Sequence, residues 1–135
     1  MVVRILLADD EPAVSQILTT FLQRSIDDFE VISALNGKEA IAKAQDLLNQ
    51  GNRPDITLID LLMPVMDGIE CTSQLIELGI DEVYVLTAHV DPDLIAKAEA
   101  AGAKGIIKKS EGYEAIAKRL VGMIRSRLPT SDIMD

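Results

Sequence analysis

The sequence contains no tryptophan, and its few phenylalanines and tyrosines bring the aromatic content to only 3%. Without large rings the interior must be filled by Ile, Leu, Val and Ala, a composition that suits helices stacked on a parallel sheet. Cysteine occurs once, at Cys71, so no internal disulfide can form and a reducing compartment is expected. Cys71 itself reads as a small helix residue facing partly inward. No apolar run approaches the roughly 20 residues that span a bilayer, and Met1 opens a strand-like segment rather than a signal peptide. These absences predict a soluble, cytoplasmic protein with no membrane partner. Bases are scarce too: 13 Lys and Arg stand against 22 Asp and Glu, a net charge of −9. Phosphate neutralisation needs clustered bases, so no direct nucleic-acid binding is expected, and a cation or a basic partner suits the chain better.

What the sequence does contain is an alternation. Short apolar runs alternate five times with segments of helical period across 135 residues, a length that holds one domain with one core. The runs predict strands at residues 2–8, 29–34, 56–59, 83–86 and 105–107, apolar on both sides as buried parallel strands are. Val14, Ile17, Leu18, Phe21 and Leu22 form one helical stripe, and Tyr113, Ile116, Ala117, Leu120, Val121, Ile124 and Leu128 form another. Helix starts are signalled at Pro12 after Glu11, at Asn36-Gly37, at Asp67-Gly68 and at Asp91 before Pro92, with Ser110 as the expected N-cap of the last helix. Five βα units with right-handed crossovers predict a flavodoxin-like, doubly wound parallel sheet of order 2-1-3-4-5. Residues 1–128 form this domain. Residues 129–135, beginning at the helix-stopping Pro129, read as a tail or the start of a linker.

In such a sheet ligands bind beyond the carboxyl ends of the strands where the order reverses, here between strands 1 and 3. Strand 1 ends in Asp9-Asp10, strand 3 in Asp60 and strand 4 in Thr87-Ala88. A glycine-rich turn would hold phosphate on backbone N–H groups, whereas acids repel it. Two like charges about 4 Å apart repel by roughly 4 kcal/mol at an effective dielectric near 20, so either a proton or a cation must relieve the cluster. Oxygen-only ligands with open positions suit Mg²⁺. A carboxylate beside Mg²⁺ is a competent nucleophile toward phosphorus, and Asp60, central on the sheet edge, is the best-placed attacker. Thr87 and the lysines of "IIKK" are then available to cover phosphoryl oxygens.

With these residues in place the chain resembles a receiver domain of two-component response regulators, over about residues 3–127. The segments that carry the resemblance are "ILLADDEP", "PDITLIDLLMPVMDG", "VYVLTAH" and "AGAKGIIKK", in order and at the family's spacing. The resemblance implies that Asp60 is the phosphoacceptor, and that Asp9 and Asp10 hold Mg²⁺ together with Asp60 and the backbone carbonyl of Leu62. It implies that Thr87 is the switch hydroxyl beside the Ala88 backbone, and its spacing selects Lys109 over Lys108 as the phosphoryl-binding lysine. Leu62 and His89 fall where the family tunes hydrolysis of the phosphoryl group, although His89 reads equally as an exposed loop residue. The sequence departs from the family twice. Ser110 stands where a proline after a cis bond is usual, and a cis bond without proline costs about 3–4 kcal/mol. Ile106 stands where an aromatic often couples to the switch hydroxyl.

The implied function is phosphorylation by a histidine kinase or phosphotransfer protein, which remodels the face of helix 4, strand 5 and helix 5. A downstream effector or a second copy would bind there. The domain turns over no external substrate and is not expected to be an enzyme. A phosphatase or phosphomutase would want a second acid where Leu62 stands, and a flavodoxin-type cofactor binder would want aromatics and a neutral first turn. A degenerate receiver that serves only as an interaction module is the remaining alternative. Asp67 and Gly68 read as cap and turn of the third helix, and Met63 and Met66 as loop packing. Glu11 reads as a solvated residue leading into the helix, and Lys43, Lys97 and Lys118 as solvated faces.

Overall fold

Strands that are apolar on both sides must be covered on both faces, and this decides the architecture. The computed structural model describes residues 2–127. The elements run β1 (Val3–Ala8), α1 (Pro12–Leu22), β2 (Phe29–Ala34), α2 (Gly37–Asn49), β3 (Ile56–Ile59), α3 (Gly68–Glu77), β4 (Val83–Thr87), α4 (Pro92–Ala100), β5 (Gly105–Lys108) and α5 (Tyr113–Arg127). The strands form one parallel sheet of order β2-β1-β3-β4-β5, as the alternation predicts. No described helix is long and apolar enough to cross a membrane. The tail predicted at 129–135 lies outside the described residues.

β1 shows how the sequence divides the core. Its Val3, Ile5 and Leu7 join Val14, Leu18 and Leu22 of α1 and Ile116, Leu120 and Ile124 of α5 on one face. Leu6 and Ala8 point the other way, against Ala40 and Ala44 of α2 and Cys71 and Leu75 of α3. Each fully buried Leu or Ile contributes about 1.5–3 kcal/mol, so this alternation outweighs any local propensity. A third, smaller cluster seats α4 through Ala98 against Val85 and Leu61, with Ile106 packed on it. Ile106 is partly buried and packs against this cluster.

The helix starts follow the sequence signals with one exception. Asn36, Asp67 and Asp91 each cap a helix, accepting from the N–H of Glu39, Glu70 and Asp93 respectively at 2.8–2.9 Å. Ser110 does not cap the last helix. Residues Lys109–Glu111 instead close a 3₁₀ turn, Gly112 follows at φ 89°, and α5 begins at Tyr113. The Gly112 N–H, which a capping Ser110 would have to receive, closes on the Lys109 carbonyl at 3.1 Å instead. No cis peptide bond occurs among the described residues. β4 and β5 each run one residue further than the apolar pattern shows, to Thr87 and Lys108, because ladder pairing continues under polar side chains. Lys43 is not merely solvated, since it pairs with Glu39 at 3.0 Å and donates to the Ser33 carbonyl, tying α2 to β2.

Candidate functional site

The acids meet because the ladder continues past the strands. Ala8 pairs with Ile59 at the ends of β1 and β3. One residue on, the Asp60 N–H donates to the Ala8 carbonyl and the Asp9 N–H to the Ala34 carbonyl, each at 3.0 Å. Asp9 and Asp60 thus project side by side from the sheet edge and are 2% and 5% exposed. Asp10 stands beside them in solvent, and one carboxylate oxygen from each of the three lies within 4.8 Å of the others. The Glu11 N–H donates to Asp9 Oδ1 at 2.9 Å, fixing the rotamer that turns Oδ2 into the pocket.

Lys109 enters from the far end of the sheet. Thr87 pairs with Lys108 at the end of β5, and the next residue reaches across the strand ends. Its Nζ donates to Asp60 Oδ2 at 3.0 Å and lies 2.7 Å from Asp9 Oδ2. The second contact has ion-pair distance without hydrogen-bond alignment, which leaves Asp9 Oδ2 unsatisfied; Asp60 Oδ1 is likewise buried with no partner. Burial pushes the Asp9 carboxyl above its ordinary range, against the pull of Lys109 and the Glu11 amide. Burial alone would lower the Lys109 ammonium, yet the adjacent Asp9 and Asp60 carboxylates prevail and hold it above its usual value.

The remaining sequence candidates surround this core. Thr87 is fully buried, and its Oγ1 accepts from the His89 N–H at 3.0 Å, a bond within its own loop rather than to the acids. Ala88 and His89 are exposed at the rim, and Leu62 is 47% exposed on the loop after Asp60. Met63 and Met66 pack under that loop, as expected. Gly68 lies so close beneath it that a Cβ there would stand 2.1 Å from the Asp60 carbonyl oxygen. The sequence marks Gly68 only as a turn, because this contact depends on how the loop closes. It also missed Tyr113, whose phenol is raised by burial, with the Lys109 charge opposing and those of Asp9, Glu11 and Asp60 adding. Linear spacing carries no signal for that neighbourhood.

Three hard oxygen donors, two of them with an unsatisfied buried atom, fit a small divalent cation; nothing in the cluster suits a soft metal. Strand order and pocket position together define a class, the CheY-like flavodoxin fold with its acidic edge at the switch between the first and third strands. Within that class the chain belongs to the response regulator receiver domain family of two-component systems, whose model matches residues 5–121. It is 34% identical over 120 residues to the transcriptional regulatory protein LnrK of Bacillus subtilis, covering 88% of this chain and 52% of that one. With the response regulator protein VraR of Staphylococcus aureus it shares 35% over 118 residues, 87% of this chain and 54% of the relative. The chain therefore spans about half the length of these curated relatives. Among solved structures it resembles a chain of the CheX–CheY–BeF3–Mg²⁺ complex of Borrelia burgdorferi, with TM-score 0.75, 27% identity, and 89% and 87% of the two chains covered. The Mn²⁺-bound response regulator Rcp1 is similar at TM-score 0.73 and 27% identity, covering 98% and 99%.

Proposed function

We propose that Asp60 accepts a phosphoryl group from a histidine kinase or phosphotransfer protein. The observation that carries this reading is the state of its carboxylate: Oδ2 is held by Lys109, while Oδ1 is buried with no partner. That oxygen is preorganised as a nucleophile, since no bond must break before it attacks. The P–N bond of a phosphohistidine donor breaks as the P–O bond to Oδ1 forms, and the imidazole leaves with the electron pair. Mg²⁺, held by Asp9, Asp10, Asp60 and the Leu62 carbonyl, would supply Lewis-acid stabilisation of the transferring group. Lys109 would keep one phosphoryl oxygen, and Thr87 Oγ1 and the Ala88 N–H would take another once Thr87 leaves the His89 amide. Leu62 and His89, exposed at the rim, would govern how readily water reaches the phosphoryl group.

Movement of Thr87 at the end of β4 would shift the population of the α4, β5 and α5 face, where an effector or a second copy binds. The domain works in the cytoplasm as a signalling switch rather than as an enzyme. With a net charge of −9 it leaves any nucleic-acid contact to other segments. The test is intact mass after incubation with Mg²⁺ and acetyl phosphate. One added phosphoryl group that disappears in Asp60→Asn is expected; no gain, or a gain that survives that substitution, overturns the reading.

A further inference from the structure

Lys109 must reach a buried pocket from a turn that almost nothing packs against. Ser110, Glu111 and Gly112 are all exposed, and a Cβ on Gly112 would meet no atom within 4 Å. Apolar burial cannot hold such a segment, so its geometry must come from polar bonds. Two sets of bonds supply it. The Gly112 N–H closes on the Lys109 carbonyl at 3.1 Å, and the Lys108 N–H donates to Glu111 Oε2 at 3.1 Å. The Glu111 carboxylate is itself gripped from α5, where one Arg119 guanidinium nitrogen donates to its two oxygens at 2.8 and 2.9 Å.

We infer that Glu111 and Arg119 are positioning residues for Lys109: α5 holds the turn through this clamp and so sets where the ammonium sits between Asp9 and Asp60. The inference rests on the proposed phosphorylation of Asp60 for its kinetic consequence, but the clamp is observable without it. An exposed ion pair contributes little to global stability. Its effect is local. The clamp takes the backbone N–H immediately before Lys109, and a misplacement of 1 Å in a reacting constellation can cost up to about a hundredfold in rate. The clamp thereby connects α5 to the turn that carries Lys109.

The experiment compares Glu111→Ala, Arg119→Gln and Arg119→Lys, each in the native background and in Lys109→Ala. Phosphorylation by acetyl phosphate at saturating Mg²⁺ is followed by mass, and the Lys109 side-chain ammonium resonance by NMR. Glu111→Ala should slow phosphorylation about tenfold and Arg119→Gln somewhat less, while Arg119→Lys restores most of the rate. In Lys109→Ala the same substitutions should cost nothing further, because a device that acts through Lys109 has nothing left to position. Equal losses in both backgrounds, or no loss in either, overturn the inference. If the native protein takes no phosphoryl group, the functional reading falls by itself, and the resonance decides the clamp. A shift or broadening of the Lys109 signal in Glu111→Ala supports it, and an unchanged signal overturns it.

Discussion

At the scale of single residues, two side chains sit in places that cost the fold something. Val65 is the one described non-glycine residue at positive φ, 72°, and its side chain is 76% exposed. A left-handed conformation costs an L-residue about 1–2 kcal/mol, and a β-branched one that gains no burial has little to offset it. Val65→Asn should therefore raise stability by about 1 kcal/mol in urea denaturation, and Val65→Gly by less, because glycine also frees the unfolded chain. Cys71 is the opposite case, a residue wholly inside. Burial, with Asp67 and Glu70 adding, pushes its thiol up from 9.0 to about 12. The folded state thus keeps a proton that the unfolded chain releases above pH 9, and stability falls as pH rises through that window. Cys71→Ala should lack this part of the slope in denaturation midpoints taken from pH 8.5 to 10.5. At pH 8, iodoacetamide should label the native thiol only as fast as the protein opens.

Between residues and the whole, the elements show what the sequence could tell and what it could not. Strands were legible because burial, complete in β3, leaves short, mostly apolar runs, and the acids were legible because each follows such a run. The turn after β5 was not: Ser110 has the chemistry of a cap, but it lies inside a 3₁₀ turn over Lys109–Glu111, and Gly112 intervenes before α5 begins. Gly68 was legible as a helix start but not as a close approach. Its neighbour Asp67 permits a clean contrast between the two roles. Asp67→Ala removes a cap and should cost about 1 kcal/mol while leaving the phosphorylation rate of Asp60 nearly unchanged. Gly68→Ala drives a Cβ into the Asp60 carbonyl and should cost about 1–3 kcal/mol, with phosphorylation slowed in parallel. Thermal denaturation beside the mass assay separates the pair.

For the molecule as a whole, the charge balance and the pocket point the same way. A chain of net charge −9 gathers three carboxylates at one sheet edge and offsets them with one lysine, so a divalent cation should stabilise the fold. At a Mg²⁺ concentration a hundredfold above its dissociation constant the gain is about 2.7 kcal/mol, visible as a rise in Tm. Asp9→Asn or Asp10→Asn should remove most of that rise. The fold and acid cluster that make this expectation were readable because topology places strand ends together; the Tyr113 neighbourhood and the Arg119 clamp were not, since they depend on how a helix returns over the sheet. Lys109 gives the pocket a further property. Its ammonium is a tethered counter-ion already lodged between Asp9 and Asp60, so a cation arriving at the proposed site would have to displace a resident one, as in an ion exchanger. Lys109→Ala should accordingly tighten Mg²⁺ in a calorimetric titration. What such a site would give up in resting affinity it would regain as discrimination, because a weak monovalent ion cannot evict a charge that is covalently the protein's own.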